Sequence, residues 1–309
     1  MAALSLEKAF AAEKKNLWGL CYRMTGSTAD ADDLVQETFR RAIERPPRDQ
    51  TLPWRPWLAR VATNLSLDHL RARRRRKYPG VWLPAPLETP EEMFPMESSS
   101  AEKYDLLESV TFAFLLALER LTPRQRAVLL LRDVFDYSVK ETADALQISE
   151  DNVKTTHLRA RQAMKEYEKN RSRPVKASKE QTRKALEKLM LSLGRRDVAA
   201  IEELLAADAS FCSDGGGEFP AASRAVHGAR KVVRVLLAFS PPGADIARFE
   251  IRSLNGFPAL VFSRSTAPEK WAKKYVFRLD LDSEGKIRDI YSVTASRKLK
   301  AVRFDAISQ

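Results

Sequence analysis

The apolar residues of this chain change their period once, and that change divides what it can fold into. Up to about residue 170 they recur at helical spacing, as in Leu17, Leu20, Cys21 and Met24, or Leu34, Val35, Thr38, Phe39 and Ala42. Beyond residue 178 two further helices, near 179–193 and 198–206, give way to short alternating runs. These are Ser210–Ser213, Ala247–Leu254, Ala259–Ser263, Lys273–Asp280 and Ile287–Val293. A helix is expected between them at about His227–Phe239, and Asn255-Gly256 is a hairpin signal. The expected architecture is multidomain: two all-α domains, then an α+β domain with an antiparallel sheet.

The helical part has its own punctuation. A break at Thr25-Gly26-Ser27 precedes a helix whose inner face is Leu34, Val35, Thr38, Phe39 and Ala42; Asp32, Asp33, Gln36, Glu37 and Arg40 lie on its outer face. After Arg45-Pro-Pro-Arg48, Pro56 suits the first turn of the next helix, with Trp57, Leu58, Val61, Ala62 and Leu65 as its buried stripe. That helix ends in Arg71–Lys77, with six positive charges in seven residues. Five prolines between 78 and 100 mark a linker, and 171–178 a second, basic one. Phe112, Leu115, Leu116, Leu118 and Leu121 form one more amphipathic helix, and Thr122-Pro123 caps its successor. Val139–Leu146, the short Gln147-Ile148-Ser149 turn and a polar helix from Glu150 to about Tyr167 then make a helix-turn-helix pattern. The domains are expected at 1–77, 101–170 and 178–309, with 78–100 between the first two.

Composition narrows the chemistry. The formal net charge is +12, and a basic chain without a membrane signal most often meets nucleic acid. Residues 1–176 hold 30 Lys and Arg against 25 Asp and Glu, and 177–309 hold 23 against 16, so bulk charge alone does not say which half touches DNA. The start of the chain reads as a helix rather than a signal peptide, and no apolar run is long enough to span a membrane, so a cytoplasmic protein is expected. Cys21 and Cys212 sit in no metal-like spacing; neither a metal nor a cofactor is expected.

The second helix of the helix-turn-helix carries the sharpest local signal. Val153, His157, Ala160 and Met164 can face inward, which leaves Asn152, Lys154, Thr155, Thr156 and Arg159 outward to reach base edges and phosphates. The same pattern also fits a surface helix in a bundle. Asp214-Gly-Gly-Gly217 is read as a tight turn; it lacks the Lys-Ser/Thr of a phosphate loop. Asp214, His227 and Tyr291 are the only acid–base set the C-terminal domain suggests, as in an isomerase or hydrolase, and no enzyme is expected. A second alternative is a ligand-gated helix-turn-helix regulator that acts without polymerase.

Four segments resemble extracytoplasmic-function sigma factors, in that family's order. They are Tyr22–Phe39 (polymerase binding), Pro56–Arg71 (-10 element), and Leu121–Arg132 with Val153–Arg161 (-35 binding). Trp82-Leu-Pro-Ala-Pro86 and Asp214–Gly217 further resemble the paired signatures of a subgroup with a fused SnoaL-like domain; Asn255–Leu260 and Ile287–Val293 fit that domain too. The resemblance implies a sigma factor that works with core RNA polymerase (β′ clamp helices and β flap) at promoter DNA. Asp33, Gln36 and Glu37 would then face the clamp helices. Asn64 would contact an unstacked -10 base, with Trp54, Arg60, Arg71 and Arg74 beside it, and the loop Arg45–Trp54 would complete that pocket. Lys154, Thr155, Thr156, Leu158 and Arg159 would meet the -35 element. Trp82, Leu83, Pro84, Asp214, Gly215, Gly216 and Gly217 would form a regulatory contact between linker and C-terminal domain, with an unidentified small molecule as a further partner. The chain departs from the subgroup at Glu218, where Lys is usual, at Ala85, where Glu is usual, and in the tail after Val293. A Lys–Glu pair between those two positions is therefore absent.

Overall fold

The computed structural model describes residues 6–50, 53–76, 78–89, 111–170, 179–239, 249–264 and 270–304. The basic linker at 171–178 and the part of the first linker from 90 to 100 lie outside them. The chain divides into two compact units, one of residues 1–77 and 95–168, the other of 78–94 and 169–309.

The first unit is all helical. α1 (Leu6–Thr25), α2 (Thr28–Glu44) and α3 (Trp54–Arg75) pack on one another. The Thr25–Ser27 break works as expected: Ser27 caps α2 by accepting a hydrogen bond from Asp30 N, and Gly26 turns the chain at φ 65°. The inner face of α2 is buried at all five expected positions. In α3 the buried stripe is rotated from expectation. Trp54 sits at the first helical position and shares a stripe with Leu58 and Ala62, so its ring goes inside, while Trp57 and Val61 are only half-buried.

α4 (Phe112–Leu118), α5 (Pro123–Leu129), a π-helical turn (Leu130–Val134), α6 (Val139–Leu146) and α7 (Glu150–Asn170) follow. Capping boxes open α5 (Thr122 with Gln125) and α6 (Ser138 with Glu141). Gln147 ends α6 in the left-handed region (φ 53°), and Ser149 Oγ accepts from Asn152 N to start α7. Val128, Ala143 and Val153, backed by Val139, Leu146 and Ile148, form the small core that holds the two helices of this motif together.

The second unit is α+β. α8 (Lys179–Arg195), α9 (Val198–Leu204) and α10 (Ala229–Phe239) accompany a six-stranded sheet of β1 (Leu205–Asp214), β2 (Val226–His227), β3 (Phe249–Leu254), β4 (Phe257–Ser263), β5 (Lys274–Leu281) and β6 (Ile287–Val293), ordered β2-β1-β6-β5-β4-β3. The helices pack on the face carrying Phe211, Leu260, Phe262, Tyr275, Phe277, Leu279 and Ile290. Asn255 (φ 50°) and Gly256 (φ 81°) make the expected β3–β4 hairpin turn.

Two expectations are corrected here. The sheet is mixed, because β1 pairs with β6 in parallel; alternation sets which face a residue takes and says nothing of strand direction. His227 belongs to β2, opposite Ser210, and α10 starts two residues later, at Ala229, after Gly228 turns the chain with φ 95°.

Candidate polymerase, promoter and linker interfaces

On α2, Asp33 and Gln36 are exposed and Glu37 is half-buried. Glu37 receives hydrogen bonds from Arg40 (2.7 and 2.8 Å) and Arg41 (2.9 Å). Those arginines, Arg40 first, pull its carboxyl down to about 2, so it is ionised at any working pH. The same outward stripe continues to Ile43, an isoleucine 70% exposed. An acidic and amide row ending in an exposed aliphatic side chain suits a protein surface better than a phosphate.

α3 offers a mixed picture. Asn64 and Arg60 are half-buried, while Arg71 and Arg74 are exposed. Arg71 pairs with Asp68 at 2.8 Å. Trp54, expected at the -10 pocket, is 5% exposed and meets Trp57 edge to face at 6.1 Å, so no ring face is free there for a base to stack on. Trp57 is the more accessible indole. Of the basic run, Arg73 faces inward, donating to Thr25 O (3.1 Å) and to Glu119 (2.6 Å).

On α7 the outward set is Lys154, Thr155, Leu158 and Arg159, all exposed, with Leu158 at 60%. Thr156 is half-buried and bonds to Asn152 Oδ1 (3.0 Å) instead of standing clear of the helix. The inward set is anchored by a residue that pattern reading missed. Asp133, 5% exposed, pairs with His157 (2.8 Å) and accepts from Arg161 Nε (2.9 Å) and Nη2 (3.1 Å). Asp133 lies in the π-helical turn, whose Phe135 N to Leu130 O bond shows the wider winding. Burial alone would push its carboxyl up; the His157 and Arg161 hydrogen bonds outweigh that and hold it below the usual range.

Within this unit the two helical modules meet around Arg126. It is 3% exposed, donates to Met24 O (2.6 Å) and pairs with Glu119 at 2.6 Å. Arg55 adds a bond to Phe135 O (3.3 Å) and stacks over the Tyr137 ring.

In the second unit the linker lies on the sheet domain. Asp214, 1% exposed, accepts from Tyr78 Oη (2.5 Å), Leu83 N (2.8 Å) and Gly216 N (3.0 Å). Lys298 Nζ donates to Asp214 Oδ2 (2.5 Å) and to Leu83 O (2.5 Å), and it stands over the Trp82 and Tyr78 rings. Glycine permits this closeness: a Cβ on Gly217 would lie 2.9 Å from Pro79 Cγ of the linker, while one on Gly215 would lie 2.3 Å from Phe219 O within the turn itself. Leu83 and Ala85 are fully buried. Farther along, Asn255 Oδ1 accepts from Leu87 N (3.1 Å), and Glu88 pairs with Arg252 (3.0 Å) and Arg303 (2.9 Å). The geometry thus brings Trp82, Leu83, Asp214 and the glycines together, and adds Tyr78, Glu88 and Lys298, which sequence reading did not single out. Glu218 instead accepts from Ser296 N (2.8 Å). Of the acid–base trio, Asp214 is committed to this contact and His227 is exposed on β2.

Known proteins share this arrangement. The family model for Sigma-70 region 2 matches residues 9–76, and that for Sigma-70 region 4 matches residues 111–164. The ECF RNA polymerase sigma factor SigJ of Mycobacterium tuberculosis is 35% identical over 234 residues, covering 74% of this chain and 71% of SigJ. The chain belongs to the ECF RNA polymerase sigma factors. A second relative, SigG of Mycobacterium tuberculosis, is 42% identical over 166 residues, 48% of this sigma factor and 44% of SigG. The crystal structure of Mycobacterium tuberculosis SigJ superposes with a TM-score of 0.67 at 26% identity, covering 94% of this sigma factor and 97% of SigJ. Helical sigma regions followed by an α+β, SnoaL-like sheet domain are therefore a shared plan. No helix among the described residues is long and apolar enough to cross a membrane.

Proposed function

We propose that this ECF sigma factor, a promoter-specific initiation factor working with core RNA polymerase in the cytoplasm, divides its contacts among three surfaces. The α2 row of Asp33, Gln36 and Glu37 meets the β′ clamp helices, and the region-4 module meets the β flap. Asn64, with Arg60, Arg71 and Arg74, reads the opened -10 element; the amide of Asn64 carries both a donor and an acceptor for a base edge. Lys154, Thr155, Leu158 and Arg159 approach the -35 element in the major groove, with Thr156 at their edge. The domain plan is 1–77, 101–170 and 178–309, with 78–100 between the first two.

The observation that carries the reading is the exposed Lys154, Thr155, Leu158 and Arg159 set on a helix whose opposite side is buried at Val153, Ala160 and Met164. The exposed leucine among basic and hydroxyl side chains fits a major groove, which accommodates it against a thymine methyl. The C-terminal unit regulates initiation through its hold on residues 78–89, and its sheet domain takes a small-molecule ligand. A ligand-gated regulator acting without polymerase does not account for the sigma-70 region 2 match.

In vitro transcription with purified core enzyme tests the assignment. Asn64→Ala should cut open-complex formation while co-elution with core is kept, and Arg159→Ala should weaken use of the -35 element by about 1–3 kcal/mol. Equal loss of core binding by Asn64→Ala, or an unchanged footprint with Arg159→Ala, refutes the corresponding role.

A further inference from the structure

The helix-covered face of the sheet ends in a charge that the fold leaves unanswered. Arg264 directly follows β4, and its backbone N–H donates to Lys273 O (2.8 Å), which pins it beside the first rung of β5. It is 6% exposed, and its guanidinium lies over the Tyr275 ring, 4.9 Å from the centroid. Among the described residues its Nε and Nη2 have no hydrogen-bond partner and are closed off from solvent, and the same holds for the hydroxyl of Tyr275. A guanidinium does not shed its proton inside a protein, and a buried charge without a hydrogen-bonding partner is costly. The Tyr275 ring answers only the flat face of the cation; it cannot accept the in-plane N–H groups.

The identity of the two unpartnered nitrogens is informative. Nε–H and one Nη–H form the side edge of the guanidinium, the fork that grips two oxygens of one carboxylate or phosphate. Burial pushes the Tyr275 hydroxyl up, which keeps it a neutral O–H donor. The surroundings are aromatic. Phe262 stacks flat on Tyr275 at 4.7 Å, and the half-buried Phe239 and Trp271 meet edge to face at 5.7 Å, with Phe239 also edge to face on Tyr275 at 6.4 Å. Such walls favour an apolar body behind the anionic head and disfavour a bare, strongly hydrated phosphate.

We propose that Arg264 and Tyr275 form a carboxylate-binding subsite in the C-terminal unit, for a small organic acid whose aryl or similarly apolar body lies against Phe239 and Trp271. This deepens the reading of the sheet domain as a ligand-binding module, and it is tested by binding alone, so it stands or falls separately from transcription. The full chain is titrated with sodium benzoate, with benzamide (same shape, no charge) and with inorganic phosphate, read by thermal shift and tryptophan fluorescence. Benzoate should raise the melting temperature and change the fluorescence, and benzamide should do neither. Trp271→Phe should remove the fluorescence change and keep the thermal shift. Arg264→Gln should weaken benzoate by at least about tenfold, equivalent to 1.4 kcal/mol, and Tyr275→Phe should weaken it less. Should Arg264→Gln fail to fold, benzoate against benzamide on the unaltered chain still decides. A benzamide response equal to that of benzoate, no response to either, or a response to phosphate alone overturns the proposal.

Discussion

Replacing Lys298 with methionine gives the most direct reading of how firmly the linker is held. Lys298 is 6% exposed, and its ammonium bonds to Asp214 Oδ2 and Leu83 O at 2.5 Å each and faces the Trp82 ring at 4.2 Å from its centroid. Methionine is one atom shorter; it keeps the apolar stem and removes the charge together with the donor to Leu83 O. Breaking a buried ion pair from one side typically costs about 3–5 kcal/mol, because the other charge stays behind. Here Asp214 keeps three donors, from Tyr78, Leu83 and Gly216, which places the loss near the lower end, about 3 kcal/mol. For a unit of this size that lowers its melting transition by roughly 6–12 °C. The assay is calorimetry of the full chain, followed in parallel by Trp82 fluorescence, because that indole lies against the altered group. The double variant Asp214→Asn with Lys298→Met removes both charges and should be less destabilised than the sum of the two single variants. A single variant melting within about 2 °C of the parent, or strictly additive losses, would refute the claim that this pair pins the linker.

Two further outcomes follow from protonation. Because the folded carboxyl of Asp133 is held below its unfolded value of about 3.9, the stability it lends to α7 is fully present above that value and is lost as pH falls through the folded one. Hydrogen-exchange protection of α7, corrected for intrinsic rates, should stay level from pH 7 to about 5 and fall only in more acidic solution, with Asp133→Asn low throughout; protection lost already above about pH 5, or an Asp133→Asn chain as protected as the parent, would refute it. Burial pushes the Cys21 thiol up to about 12 and the Cys212 thiol up to about 11, so neither is a thiolate at pH 8. Both should resist iodoacetamide in the folded chain and react in urea, as read by mass spectrometry, and rapid labelling of folded Cys21 would contradict its place in the core.

The helical half was legible because its signals are local. The Thr25–Ser27 break, the cap at Thr122 and the buried face of α2 each follow from residues a few positions apart. The outward face of α7 was legible for the same reason. What escaped sequence reading depends on distant partners. Asp133 looks like one more acid in a helix until the π-helical turn brings it under His157 and Arg161. Trp54 and Trp57 both suit a buried aromatic stripe, and the start of α3 at Trp54 decides which one goes inside. Lys298 sits in a tail that departs from the subgroup's usual ending, 84 positions from the carboxylate it meets. Glu218 and Ala85 stand where the subgroup usually has Lys and Glu; the cation that meets the linker site here is Lys298, in the tail.

The parallel pairing of β1 with β6 explains why that contact is geometrically possible. Parallel neighbours end on the same edge of a sheet, and here Asp214 lies opposite Val293 at the final rung. The chain leaving β6 is therefore delivered onto the glycine turn that leaves β1, and Thr294 N and Ala295 N both donate to Asp214 O (2.9 and 3.2 Å). Lys298 needs only one further turn of chain to reach the carboxylate. In an antiparallel pair the two ends would be separated by the length of the strand, about 30 Å for ten residues at roughly 3.3 Å each. A tail lysine could not then have met Asp214, and the linker would lose that ion pair while keeping its neutral hydrogen bonds to Asp214 and Asn255 and the Glu88, Arg252 and Arg303 cluster. The strand direction that alternation could not reveal thus determines which residues hold the linker to the sheet domain.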